Sequence, residues 1–193
     1  MDKINSVTVY CGSSVGASDI YQQQAIALAS ELVNRKITLV YGGGRVGIMG
    51  VLANSVLEQG GRVVGVMPNL LVEREISHTG LSEIHIVDTM HQRKQKMIDL
   101  ADGFIALPGG FGTLEEFSEV FTWGQIGLHT KPCGLLNVNN YWAPLVAMIE
   151  KMADEKFLQE KYRHMAIVED KAANLLDRFL HYKAPSVKTY DDL

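Results

Sequence analysis

The chain has two cysteines among 193 residues, Cys11 and Cys133, far apart and each in or beside an apolar run. A disulfide scaffold is excluded, and buried free thiols in a reducing compartment are expected. Positive charge is also scarce, since 18 Lys and Arg against 22 Asp and Glu leave a formal net charge of −4. Phosphate backbones are gripped by clustered cations, so the expected partner is a small molecule and not a nucleic acid. No apolar stretch reaches membrane-spanning length, and no basic segment followed by an apolar one precedes the first strand. A soluble, cytoplasmic protein with no membrane partner is expected. The six histidines, at 78, 85, 91, 129, 164 and 181, show no His-Glu-x-x-His or Cys-His spacing, so no metal site is expected. A Gly-x-Ser-x-Gly elbow, the usual signal of serine hydrolases, is missing too. There is no internal repeat, no low-complexity tract and no linker dividing the chain.

What is present is an alternation. Short β-rich runs at residues 7–10, 37–41, 62–67, 84–87, 104–107, 133–137 and, more weakly, 166–168 are separated by segments of helical length and period. This pattern predicts a single α/β domain over residues 1–182, a parallel sheet of about seven strands with helices on both faces. The runs are almost wholly apolar, as strands covered on both sides require. Residues 183–193 read as a polar, loose tail. In open parallel sheets, ligands sit outside the carboxyl ends of the strands. Three glycine-rich stretches fall there: Gly12 with Ser13 and Ser14, residues 42–47, and residues 109–112.

The second stretch carries Gly42, Gly44 and Gly47 in the order G-x-G-x-x-G directly after a strand, which suggests a dinucleotide-binding turn. That fingerprint also needs an acidic residue about 20 positions on to hold a ribose hydroxyl. Here the next strand ends Val66, Met67, Pro68, Asn69. A P-loop fails as well, because Gly47 is followed by Ile48 and Met49. These glycines serve either a tight turn with close helix packing or direct contact with a ligand.

The third stretch is richer. Pro108, Gly109, Gly110, Phe111, Gly112, Thr113, Leu114, Glu115 and Glu116 join a buried strand to a helix opening Thr-x-x-Glu. Glycines let the backbone approach a ligand, and the free N–H groups of the new helix then point at any anion placed there. A capping box of Thr113 with Glu116 would account for both residues without a ligand. Three glycines are more than a cap requires, however, and Glu115 and Glu116 stand beside an anion site that acids would otherwise repel. The functional reading is preferred.

Upstream, residues 89–102 form an amphipathic helix capped by Thr89 and Gln92, with Met90, Met97, Ile98, Leu100 and Ala101 on one face. At 100° per residue, Arg93 and Lys94 fall inside that apolar sector. They also lie in the first turns, where the helix dipole disfavours cations. Snorkelling along their apolar stems is the bland alternative; meeting an anion or a carboxylate in a cleft is the preferred one. Glu73, Arg74 and Glu75, after the third strand, have the look of a solvated charge run.

Taken together, these segments resemble the LOG family of cytokinin riboside 5′-monophosphate phosphoribohydrolases, proteins often labelled lysine decarboxylase-like. The family pattern PGGxGTxxE matches Pro108, Gly109, Gly110, Gly112, Thr113 and Glu116, and its Arg-Lys pair falls on Arg93 and Lys94. Residues 41–44 (YGGG), 47–50 (GIMG), 74–76 (Arg-Glu-Ile) and 122–127 (TWGQIG) support the match, which runs from about residue 7 to about residue 180. Phe111 departs from the Tyr common in plant members. The resemblance implies a Rossmann-like fold, a homodimer with sites near the subunit interface, and hydrolysis of the N-glycosidic bond of AMP or an N6-substituted AMP. It implies Arg93 and Glu116 as the catalytic pair. Nucleotide contacts would come from Glu75, Arg93, Lys94, Gly109, Gly110, Phe111, Gly112, Thr113, Leu114, Glu115, Glu116 and Thr122. No cofactor or metal is required. Lysine decarboxylation is not expected, because nothing marks a Schiff-base lysine. The rival readings are a non-catalytic nucleotide sensor or carrier and, more weakly, a dinucleotide-dependent oxidoreductase working through residues 42–47.

Overall fold

The computed structural model describes residues 3–72 and 77–188. All seven expected strands form, in one parallel sheet ordered β4-β3-β2-β1-β5-β6-β7. They are β1 (Ser6–Tyr10), β2 (Thr38–Tyr41), β3 (Val63–Pro68), β4 (Glu83–Val87), β5 (Phe104–Ala106), β6 (Cys133–Leu136) and β7 (Ala166–Glu169). Branched and aromatic side chains dominate them because such residues fit a pleated surface covered on both sides. β3, for example, is buried along its whole length. β4 departs from the expectation of fully covered strands. It lies at the sheet edge and leaves Ile84 and Ile86 42% and 47% exposed.

On one face of the sheet, α1 (Ile20–Asn34), α2 (Gly47–Glu58) and α7 (Ala172–Leu180) close a core around Leu28, Leu32, Leu52 and Leu175. On the other, α4 (Met90–Asp99), α5 (Phe111–Gln125) and α6 (Ala143–Asp154) close a second around Met97, Phe117, Val120 and Ile149. A single turn, α3 (Asn69–Val72), follows β3. Each fully buried Leu or Phe contributes about 1.5–3 kcal/mol, set against the entropy of ordering the chain. Both layers sit on one sheet, as a Rossmann-like single domain requires.

The strand order fixes where a ligand can sit. From β1 to β4 the chain steps outward in one direction, then returns to the other side of β1 to begin β5. The loops after β1 and β5 therefore leave in opposite directions. They part beyond Tyr10 and Ala106, which pair in register, and the crevice between them is the switch point at which open α/β sheets bind ligands.

A loose tail from residue 183 is not what the described residues show. Tyr162 donates from its hydroxyl to the Ser186 carbonyl at 2.9 Å, and Lys188 N–H donates to the Gln125 carbonyl at 2.9 Å. Val187 meanwhile covers Gly127. These pairings across chain elements hold the segment to Lys188, and a local reading of polarity has no access to them. Among the described residues no helix is long and apolar enough to cross a membrane.

Candidate active site

At the end of β5 the chain is pinned before it turns. Leu107 N–H donates to the Tyr10 carbonyl at 2.9 Å, and Gly12 N–H donates to the Pro108 carbonyl at 3.3 Å, so the loops after β1 and β5 are stitched together. A side chain at 109 would collide with the Thr113 hydroxyl, at 2.1 Å from a Cβ built there, and with the Gly12 amide at 2.9 Å. Tyr141, which no sequence pattern singled out, braces the same residue by donating to the Gly109 carbonyl at 2.6 Å.

The helix then opens earlier than its Thr-x-x-Glu pattern suggests. Gly110 is the N-cap of α5 and no side chain caps it, so Thr113 is the third helical residue and the alternative reading of Thr113 and Glu116 as a capping box is not realised. The first intrahelical bond is from Leu114 N–H to the Gly110 carbonyl at 3.1 Å. Among the described residues no backbone carbonyl accepts from the N–H groups of Phe111, Gly112 and Thr113 outside the helix. Side chains built at Gly110 and Gly112 would meet nothing within 4 Å. Packing therefore does not demand glycine there, and bare backbone faces open space with three free donors and the positive end of the helix dipole. Beside it, Ser13, Ser14, Tyr21, Gly109, Gly110 and Tyr141 line a cleft of about 310 Å³.

Glu116, one turn further on, faces inward, and Arg93 meets it. The capping box of Thr89 and Gln92 forms as expected and starts α4. Arg93 is buried, its Nε donating to the Val66 carbonyl at 3.1 Å and its Nη1 to Glu116 Oε1 at 3.2 Å. Both partners of this pair are nearly out of solvent, with side chains 10% and 13% exposed. Burial drives the Glu116 carboxyl up to about 7, Arg93 and Lys94 opposing that rise and Glu115 and Glu119 adding to it. Lys94 also turns inward instead of snorkelling and bridges Glu115 to Glu119, the latter at 3.1 Å. Burial works against its charge, but the two carboxylates outweigh it and hold its pKa above the usual value.

Nearby Tyr10 and Cys11 are deeply buried, and burial pushes both groups upward, so each stays protonated and neither is poised as a nucleophile. The Arg93–Glu116 pair, Lys94 and the glycine junction are thus brought together from three elements. Thr122 is not part of that group. It is exposed, and its hydroxyl donates to the Ser118 carbonyl of its own helix at 2.7 Å. Glu75 lies outside the described residues, as do its neighbours in the charge run. Glu119 was missed at the sequence level although it is one turn from Glu115 on the same helix face, which was the available signal.

The second glycine stretch makes a structural clamp. Gly47 has a left-handed φ of 60°, and a Cβ there would lie 2.2–2.4 Å from the backbone of Ser13 and Ser14. Ile48 N–H donates to the Ser14 carbonyl and Met49 N–H to the Gly12 carbonyl, both at 3.4 Å. The amides that would cradle a pyrophosphate in a dinucleotide-binding turn are already paired. Among the described residues no group of three His, Cys, Asp or Glu is placed to hold a metal ion.

A family model described as "possible lysine decarboxylase" matches residues 49–179. The chain is 47% identical over 180 residues to a probable cytokinin riboside 5′-monophosphate phosphoribohydrolase from Oryza sativa subsp. japonica, covering 93% of this chain and 74% of that one. It is 51% identical over 164 residues to a cytokinin riboside 5′-monophosphate phosphoribohydrolase from Rhodococcoides fascians, covering 84% and 83%. Among solved structures, the molybdenum cofactor binding protein from Rippkaea orientalis matches 92% of this chain and 96% of its own with a TM-score of 0.69 at 17% identity. The molybdenum cofactor carrier protein from Chlamydomonas reinhardtii matches 93% and 100% with a TM-score of 0.69 at 14% identity. At such identities these two share the fold.

Proposed function

The chain belongs to the family of cytokinin riboside 5′-monophosphate phosphoribohydrolases, and on that premise we propose that it hydrolyses the N-glycosidic bond of AMP or an N6-substituted AMP, releasing the base and ribose 5-phosphate. "Lysine decarboxylase" is a historical label of the family model. Lys94, the inward-facing lysine, is engaged by two carboxylates and kept charged, unlike an amine that is to form a Schiff base.

The observation that carries the proposal is the buried Arg93–Glu116 pair one turn below the free N-terminus of α5. In this reading the 5′-phosphate sits on the amides of Phe111, Gly112 and Thr113, with Gly109 and Gly110 giving it room and Leu114 following in the same turn. The ribose then lies over Glu116. As the C1′–N bond breaks, positive charge grows on the sugar. An ionised Glu116 stabilises it or draws a proton from the water that attacks C1′, and the proton that water gives up ends on the nitrogen of the departing base. A carboxyl at about 7 is half ionised near neutrality, which suits a general base. Arg93 orients Glu116 and balances its charge, and Lys94 keeps Glu115 off the incoming phosphate. Glu75 and Thr122 join the contact set on the strength of the resemblance.

The reading extends to a homodimer in a reducing, cytoplasmic setting. Two buried free thiols suit that setting, and exposed Ile84, Ile86 and Met90 supply apolar area for a second copy. The test is to incubate purified protein with AMP and with N6-isopentenyl-AMP and to follow base and ribose 5-phosphate by chromatography. Cleavage of at least one is expected. Cleavage of the dephosphorylated nucleosides but of neither nucleotide would defeat the phosphate-site argument. Cadaverine formation from lysine with added pyridoxal phosphate would overturn the rejection of decarboxylation.

A further inference from the structure

Arg93 is the one Lys or Arg among the described residues that is buried. Two sides of its guanidinium group are accounted for, by the Val66 carbonyl and by Glu116. The third side is Gly42, the first residue after β2. A Cβ built on Gly42 would lie 1.9 Å from Arg93 Nη2 and 3.1 Å from its Cζ, far inside contact distance. The guanidinium therefore lies in the volume that any side chain at 42 would fill.

The backbone does not ask for glycine at this position. Gly43 and Gly47 have left-handed φ angles of 76° and 60°, whereas Gly42 is not among the positive-φ glycines. Its next contact after Cζ is Arg93 Nε at 3.7 Å, so all three nearest atoms belong to that one side chain. An alanine at 42 is compatible with the chain and incompatible with Arg93 where it lies.

We propose that Gly42 is a positioning residue for the reaction, its missing side chain forming the slot that holds Arg93 against Glu116. The proposal rests on the reading of Arg93 and Glu116 as the catalytic pair. A methyl at 42 drives the guanidinium outward. Glu116 is then left facing Glu115 and Glu119 from its own helix, Lys94 from α4, and the neutral Tyr10 and Cys11 of β1 and its loop. With its strongest counter-charge gone, its carboxylate form is disfavoured.

The experiment follows AMP hydrolysis across pH for the wild type, Gly42→Ala, Arg93→Ala and the double variant, with a melting curve for each. Gly42→Ala is expected to lower kcat near neutrality about tenfold or more and to move the acid limb of kcat/KM up by about one pH unit, with KM changed less than about twofold. In the Arg93→Ala background, where the slot is empty, Gly42→Ala should change turnover less than about twofold. An unmoved acid limb, or losses that multiply in the double variant, would overturn the proposal. If Gly42→Ala alone fails to fold while the double variant folds, the steric conflict with Arg93 is confirmed; if both fail, Gly42 acts on the fold and the proposal is wrong. Undiminished turnover in Arg93→Ala alone would instead defeat the catalytic pairing on which it rests.

Discussion

Two glycine-rich junctions flank the β1 loop at the carboxyl edge of the sheet, and they have opposite fates. At residues 42–47 the chain has a complete G-x-G-x-x-G, yet the amides of Ile48 and Met49 at the start of α2 are taken by the carbonyls of Ser14 and Gly12. At residues 108–112 the pattern is less familiar, yet among the described residues the first three amides of α5 have no backbone acceptor, and Gly110 and Gly112 face open space. Glycine thus marks close approach without saying what approaches. At α2 it is the β1 loop; at α5 it is space that an anion fits.

Four predictions bear on that contrast. The largest effect belongs to Glu116→Gln, which should cut kcat by about a thousandfold while nucleotide binding, measured by titration, is retained. Unchanged turnover would show that the α5 junction binds without catalysing, as in a nucleotide carrier. Next is Gly47→Ala. Left-handed backbone and a collision with Ser13 and Ser14 should cost about 2–4 kcal/mol and lower Tm by roughly 5–15 °C. The matching change at the other junction, Gly112→Ala, should leave Tm within about 2 °C and raise KM for AMP about tenfold, because the methyl meets phosphate and not protein. A Tm loss at Gly112 as large as that at Gly47 would erase the distinction.

The smallest effect is on stability and depends on pH. Glu116 is held at about 7 against an ordinary 4.5, so the folded chain keeps a proton that the unfolded chain gives up, and stability declines as pH rises through that window. Glutamine cannot ionise. Glu116→Gln should therefore match the wild-type Tm near pH 4 and exceed it by several degrees near pH 8, read by calorimetry. The opposite ordering would mean that the carboxylate is stabilised, not strained, by its surroundings.

Much of this was legible from local chemistry. Seven apolar runs gave seven strands because a sheet covered on both faces leaves few polar positions. Arg93 and Lys94 were placed inward by helical period alone, and the structure buries Arg93 and turns Lys94 inward onto Glu115 and Glu119. What was illegible depends on partners distant in the chain. Thr113 with Glu116 satisfied a local capping pattern, but helical geometry begins at Phe111, so Thr113 packs on Gly109 and Glu116 turns to Arg93. The role of Gly42 depends on a side chain 51 positions away, and the docking of residues to Lys188 on Gln125 and Tyr162. The exposed isoleucines of β4 follow from its edge position, which strand order alone decides.

The central claim is that the free amides of α5, and not those of α2, receive the phosphate. It is tested most directly by titrating AMP into ¹⁵N-labelled Glu116→Gln and following backbone amide shifts. The amides of Phe111, Gly112 and Thr113 should move most, while those of Ile48 and Met49 stay in place. Movement centred on Ile48 and Met49, with 111–113 unmoved, would contradict the account.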